Sequence, residues 1–155
     1  MTIDIGIGDN ARKDISEGLA KVLADTYLLY LKTHGYHWNV RGPRFQVLHT
    51  LFEEQYREMW EAVDEIAERI RTLGFDAPTS YGTFTKLGTI EERDAVPPAE
   101  EMIADLVKGN EAVVKTLRAS LPPAQDAGDE ATVDLLIGRL AAHEKAAWML
   151  RSHLE

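Results

Sequence analysis

The sequence predicts an all-α fold: a bundle of four long helices with one long crossover between the second and third. Three observations predict it. Apolar residues recur every three to four positions through four separate stretches. The links between those stretches run short, long, short. The chain has 155 residues, 45% of them apolar and 28% charged, which suits one domain with a real core.

Residues 1–13 show no period and read as a short N-terminal tail, leaving 14–155 as the single bundle domain. The first helix is expected from about Asp14, with Ile15, Leu19, Val22, Thr26, Leu29 and Tyr30 on its stripe. It runs to Val40 and stops at Gly42-Pro43, because the residue before a proline is pushed out of the α region. Pro43 suits the first turn of the second helix, and Gly74 is a fitting cap after Leu73 at its end. Phe45, Leu48, Phe52, Met59, Val63, Ile66, Ile70 and Leu73 form the second stripe. So short a link packs the two helices antiparallel.

Residues 75–97 form the crossover, marked by Pro78, Gly82, Gly88 and Pro97. A connection of this length inside a compact domain needs structure or a task, and Ser80 to Leu87 is the place for a short helix. The third long helix starts near Pro98 with proline and acids in its first turn. Ile103, Leu106, Val107, Val113, Leu117 and Leu121 are its stripe, Pro122-Pro123 is expected to end it, and AQDAGDE reads as a polar turn. The last helix carries Val133, Leu136, Leu140, His143, Ala147, Leu150 and Leu154. His143, lying on that apolar stripe, reads as a hydrogen-bonded core histidine rather than a ligand. Short, long, short is the ferritin-like topology.

No apolar run approaches the roughly 18 residues of a membrane span. The start, MTIDIGIGDNARKD, has Asp4 early and no basic segment ahead of an apolar one, so no signal peptide and a cytoplasmic protein are expected. With no cysteine, a metal site has only His and carboxylates to use. The formal charge of −9 opposes general affinity for nucleic acid. Such charge fits plain solubility as well as an acidic interior that attracts cations, and alone it does not choose.

The second helix holds the informative residues. His49, Glu53, Asp64 and Glu68 fall in a sector roughly 100° wide, beside the core stripe rather than opposite it. The same sector holds Tyr56, Trp60 and Ala67, and acids mixed with apolar residues suggest an interface. Glu54, Glu61 and Glu65 instead read as a solvated face, with pairs such as Glu65 and Arg69. His49 and Glu53 are four apart and can hold one ion together, as can Asp64 and Glu68. The centres of the two pairs lie about 22 Å apart along the axis, beyond the reach of any single ion.

A twofold axis removes the difficulty. If the helix crosses its copy antiparallel near Met59, His49 and Glu53 of one chain face Asp64 and Glu68 of the other, twice over. His34 and His37, at the end of the first helix in HGYHWNV, are three apart and can share a face. By spacing alone they stay undecided between ligand and hydrogen-bonding roles. Carboxylates with a few imidazoles suit iron, manganese or zinc.

HWNVRGPRFQVLHTLFEE, residues 37–54, and DEIAERIRTLG, residues 64–74, closely resemble the Dps family, the mini-ferritins that protect DNA in stressed cells. The resemblance implies that His37, His49 and Glu53 are ferroxidase ligands from one subunit, and Asp64 and Glu68 those from its twofold neighbour. Position 53 is often Asp in this family, so Glu53 is a departure that bears on the second iron position. His34 sits where the family often has another polar residue, to add an outer ligand or to hydrogen-bond. Trp38 takes the place of an aromatic near the site that quenches radicals.

Members of the family form hollow homododecamers, oxidise Fe(II) preferably with hydrogen peroxide, and store the ferric product. The resemblance therefore implies iron as the metal, with a two-iron site. Asp126, Asp129, Glu130, Thr132 and Asp134 resemble the acidic stretch lining the family's threefold pores, although acids at a helix N-terminus also have an ordinary reading.

Strong DNA binders in the family carry a Lys-rich tail, whereas this chain offers Arg12 and Lys13 at one end and His153-Leu-Glu155 at the other. Direct DNA binding is expected to be weak or absent, with iron and peroxide removal as the protective route. The alternative is a DNA-compacting nucleoid protein with a secondary metal site. A ferritin or haem-binding bacterioferritin needs carboxylate-x-x-His pairs on two helices of one chain. The last helix offers only His143 with Glu144, so no haem is expected.

Overall fold

Five helices carry the chain in the computed structural model, which describes residues 2–155. They are α1 (Asp9–Asn39), α2 (Phe45–Thr72), α3 (Tyr81–Leu87), α4 (Ala99–Asp126) and α5 (Glu130–Arg151), with no strand among the described residues. α1 packs along α2 and α4, and α4 along α5, whereas α2 and α5 touch little. The core between them holds Ile15, Leu19, Leu29, Phe52, Ile66, Ile103, Leu117 and Leu136, all at most 2% exposed. This is the all-α, ferritin-like bundle with a helix-bearing crossover that the spacing predicts.

α1 begins at Asp9, five residues before the expected start near Asp14. The reason is Arg12, which has no apolar character for a periodicity to register but is buried. Its guanidinium donates to Leu73 O at 2.7 Å, to Ile7 O at 3.2 Å and to Asp9 at 2.5 Å. The N-terminal residues are thereby tied to the end of α2. Pro43 lies in the turn just before α2 and not in its first turn, since Arg44 is the N-cap.

Gly74 ends α2 as expected, at φ +98°. Its N–H donates to Arg71 O at 3.0 Å and the next N–H, of Phe75, to Ile70 O at 3.3 Å, the paired bonds of a left-handed glycine cap.

The crossover is held down by a buried carboxylate. Asp25 of α1 accepts from the Thr89 backbone at 2.5 Å, the Thr89 hydroxyl at 2.9 Å and the Thr116 hydroxyl at 2.6 Å. α3 begins at the Ser80 cap, where the hydroxyl accepts from Thr83 N, and it lays Phe84 on the Tyr27 ring.

Pro122 and Pro123 do not end α4, which continues to Asp126. The two prolines remove donors to the carbonyls of Arg118 and Ala119, but both residues are exposed, so those carbonyls are open to hydration. Beneath them Ala124 is fully buried and draws the last turn onto the core. The chain reverses at Gly128, φ +67°, where Asp129 N donates to Ala124 O at 2.9 Å.

Replacing Gly74 by alanine tests this frame. A Cβ there would run into the Ile3 side chain, lie 3.0 Å from Arg12 Nη1, and sit on a left-handed backbone. Gly74→Ala is expected to lose about 1–2 kcal/mol. A thermal melt should show a drop of about 2–4 °C for each kcal/mol lost in a protein of this size.

Candidate metal centre

The turn between α1 and α2 brings two histidines face to face. Gly42, at φ +108°, reverses the chain so that the last turn of α1 meets the second turn of α2. His37 and His49 stack with ring centroids 3.8 Å apart and planes 15° apart. His37 Nδ1 lies 2.7 Å from His49 O, and His49 Nδ1 lies 2.7 Å from His37 O.

A carbonyl oxygen can only accept, so both Nδ1 atoms carry the proton and donate. In each neutral ring Nε2 is therefore the bare nitrogen, in the state a metal ion requires. The sequence brings these residues together only through the turn, because twelve positions separate them.

Glu53 lies one turn beyond His49 and is partly exposed. Its carboxylate is 3.6 Å from the Arg57 guanidinium, a partner that sequence reasoning missed although the i, i+4 spacing was there to find. Arg57 also lies over the Tyr56 ring, 5.5 Å from its centroid. Asp64 and Glu68 are both exposed on the same flank of α2, well down the helix. Among the described residues no three His, Asp or Glu side chains of one chain converge on a point fit for a metal ion.

Exposed aromatic side chains accompany these residues. Trp38 is 61% exposed and Trp60 55% exposed, with Phe45 also exposed near the His49 end. A groove of about 490 Å³ lies against Asp64, lined by Tyr27, Trp60, Val63 and Ala67. Met59, expected at a twofold crossing, is buried in the subunit's own core; Trp60 is the outward-facing residue at that level. Charged ligand types set among exposed aromatics mark an interaction face rather than a wet surface.

His34 does not join the stacked pair. Its Nδ1 is 3.1 Å from the Tyr30 hydroxyl, its ring stacks on Tyr56 at 3.9 Å, and Trp38 lies 4.2 Å away. Burial, with the nearby His37 and Arg57, lowers its pKa, against the pull of Glu53, so it is neutral near pH 7. Tyr30, Tyr56 and Tyr27 continue this aromatic row along α1 and α2. The periodicity absorbed Tyr30 into a core stripe and concealed it.

Two residues prove structural. His143 is buried, with Nδ1 2.9 Å from Asn110 Oδ1 and Nε2 3.0 Å from Arg139, as its place on an apolar stripe predicts. Arg139 in turn forms a two-pronged ion pair with Glu58. Asp129 is 2% exposed and caps α5, accepting from Thr132 N at 3.1 Å and from Arg69 at 2.8 Å. Burial alone would raise its pKa, but the Thr132 bonds and the Arg69 charge hold it below the usual range. Arg69 thus pairs with Asp129 and not with Glu65, while Asp126 and Asp134 remain exposed.

Similar proteins share this arrangement of helices. A ferritin-like domain family matches residues 16–155. The "DNA protection during starvation protein 2" of Bacillus anthracis is 39% identical over 142 residues, covering 92% of this chain and 97% of that protein. Among solved structures, DpsC from Streptomyces coelicolor superposes with a TM-score of 0.95 at 30% identity, covering 100% of this chain and 91% of its own. A Dps protein from Vibrio cholerae O1, described as one of a broad superfamily of ferritin-like diiron-carboxylate proteins, gives 0.94 at 32% identity, covering 99% and 97%.

The buried histidine makes a prediction about pH. Burial, followed by the Arg139 charge, lowers the His143 pKa from 6.5 to about 3. The unfolded chain therefore takes up this proton in a window where the folded chain does not. Stability falls as pH is lowered through that window, by up to about 1.4 kcal/mol per unit. Urea midpoints of the wild type should drop between pH 6.5 and about 4, and His143→Gln should flatten that slope. An unchanged slope would show that His143 is not the group responsible.

Proposed function

Because the chain belongs to the Dps family of ferritin-like proteins, we propose that it oxidises Fe(II) at sites shared by two subunits and stores the product in a hollow assembly. The observation that carries this reading is the crosswise bonding of His37 and His49. It fixes both tautomers with Nε2 bare, one helical turn from the Glu53 carboxylate, on a face with no cover of its own.

Each site draws His37, His49 and Glu53 from one subunit and Asp64 and Glu68 from its twofold partner. The separation of about 22 Å between the half-sites on α2 supports this division, since an antiparallel crossing near Trp60 pairs each half-site with its complement. Fe(II) is the substrate. Anionic carboxylates favour Fe(III) over Fe(II), and two irons per site provide the two electrons that hydrogen peroxide takes up; peroxide is the preferred oxidant that the family resemblance implies. Glu53 holds the second iron, and metal entry displaces its contact with Arg57.

The assembly is a homododecamer in the cytoplasm, and no helix is long and apolar enough to cross a membrane among the described residues. Iron enters past Asp126 and Asp134, with Asp129 positioning that turn rather than facing the pore. DNA is protected by removing iron and peroxide. Direct binding is weak, because Arg12 is buried and a charge of −9 per chain repels phosphates.

A mixing experiment tests the shared site. His37→Ala and Asp64→Ala should each abolish rapid Fe(III) formation with peroxide, read by absorbance, while particle mass stays that of a dodecamer. After dissociation and random reassembly of the two variants together, each mixed pair regains one of its two sites. About a quarter of wild-type activity should return. No recovery on mixing would place all the ligands within one chain, and a monomeric, inactive wild type would overturn the reading altogether.

A further inference from the structure

Inside the bundle, a carboxylate and an imidazole converge on a side chain in the way that ligands converge on a metal ion. Glu58 of α2 and His143 of α5 both meet the Arg139 guanidinium. Its Nη2 atom lies 2.8 Å from Glu58 Oε1 and 3.0 Å from His143 Nε2, while Nη1 bonds Glu58 Oε2. Arg139 is 6% exposed, and its Nε is buried with no hydrogen-bond partner. The guanidinium is thus held through its two terminal nitrogens alone.

The histidine is set as a metal ligand is set. A guanidinium only donates, so His143 Nε2 accepts and carries no proton. Nδ1 therefore holds the ring proton and donates to Asn110 Oδ1 at 2.9 Å. Asn110 is itself fixed, because its Nδ2 donates to Leu106 O at 2.8 Å and leaves Oδ1 to the imidazole. A bare Nε2 backed by a hydrogen bond at Nδ1 is the state that binds metal.

Exchanging the cation needs little movement. Carboxylate oxygen and imidazole nitrogen bind a divalent ion such as zinc at about 2.0–2.2 Å, so an ion at the Nη2 position draws each ligand in by less than about 1 Å. A cavity of about 340 Å³, lined by Glu54, Glu58, Asn110 and His143, has room for the waters that complete a coordination shell. Building on the ferroxidase reading, we propose that these residues form a divalent-cation site whose cation is the Arg139 guanidinium, and that Arg139 thereby keeps iron out of the bundle and directs it to the face shared by two subunits.

Arg139 is then a specificity-determining residue and touches no substrate. A tethered cation acts at an effective concentration of roughly millimolar or more, well above a scarce free ion. Removing it with nothing in its place leaves a buried imidazole nitrogen unsatisfied and a carboxylate unpaired. Those are the two groups that an incoming metal ion satisfies. Nothing is oxidised or reduced in the exchange, in which one cation replaces another.

Cobalt(II) counts the site, since it takes oxygen and nitrogen ligands as Fe(II) does and stays divalent. Assembled protein carrying His37→Ala and Asp64→Ala, which silence the shared face, is dialysed against Co(II) with and without Arg139→Ala or Arg139→Gln. Each Arg139 variant should take up about one further Co(II) per chain, with new visible absorption bands. Added guanidinium ion should displace that cobalt by refilling the gap. Arg139→Lys, which keeps a tethered cation, should gain none, and His143→Gln added to Arg139→Ala should lose the gained ion. Should a neutral variant fail to assemble alone, Co(II) should restore its assembly by binding the folded state. In the wild type, anomalous diffraction from cobalt-soaked crystals should show no cobalt beside His143. Cobalt at that place, a neutral variant that gains no ion or is not restored by one, or an equal gain in Arg139→Lys would each overturn the assignment. A wild type that forms no Fe(III) would remove the ferroxidase reading and leave the cobalt count standing.

Discussion

Two imidazoles and two carbonyls, bonded crosswise between the end of α1 and the second turn of α2, are the joint on which the rest depends. They satisfy two ring donors in a place where His37 is nearly buried, which offsets the cost of taking those rings out of water. They hold the ends of the two helices in register. They also set the tautomers, because the carbonyl that accepts from Nδ1 leaves Nε2 as the nitrogen available to the proposed metal. One set of bonds therefore does the work of packing, helix closure and tautomer choice. A single turn with Gly42 in the left-handed region is what makes it reachable.

The bundle interior bears on why the proposed centre lies on a face and not within the four helices. The space between α2, α4 and α5 holds a polar network beside a cavity of about 340 Å³ lined by Met59, Asn110, His143 and Met149. There Asn110 bonds His143, His143 bonds Arg139, and Arg139 bonds Glu58. An arginine in that position repels a cation, and it helps keep the one interior histidine uncharged. The remaining candidate ligands sit along one flank of α2 and, for His37, at the end of α1. A rigid helix cannot bend to bring its own residues 49 and 68 together. That rigidity is why the proposed ligand set demands a partner.

Most of this could be seen in the chain before any coordinates. The period of three to four residues located every long helix, and Ser80 to Leu87 was legible as the place for a short helix because so long a crossover needs structure of its own. What escaped notice had a common cause. Arg12 is polar and buried, Asp129 is acidic and buried, and Pro122-Pro123 lies inside a helix; in each case tertiary contacts overrode the local signal. Pattern reading treats charge as exposure, and these charges are inside because each has a partner placed by a distant residue, Leu73 for Arg12 and Arg69 for Asp129. The site itself divides in the same way. The i, i+4 pairs on α2 were visible from spacing, whereas the His37–His49 stack joins residues on two helices and needed the turn geometry to appear.

Charge also ties assembly to metal in the proposed dimer. Bringing Glu53 of one subunit against Asp64 and Glu68 of the other gathers three carboxylates on two chains that each carry −9. Like charges so placed repel by an amount comparable to the worth of ordinary surface ion pairs, about a kcal/mol each, and more as the face dries on association. The exposed aromatics Trp38 and Trp60 supply the apolar area that opposes this repulsion. Arg57 relieves part of it from within each chain by standing 3.6 Å from Glu53. A cation entering the site takes over that neutralising part and frees Arg57. Metal binding then strengthens the same contact that creates the site, since whatever binds only the paired state stabilises pairing. The half-sites on α2 are thus two ends of one equilibrium, in which iron and the second subunit each favour the other.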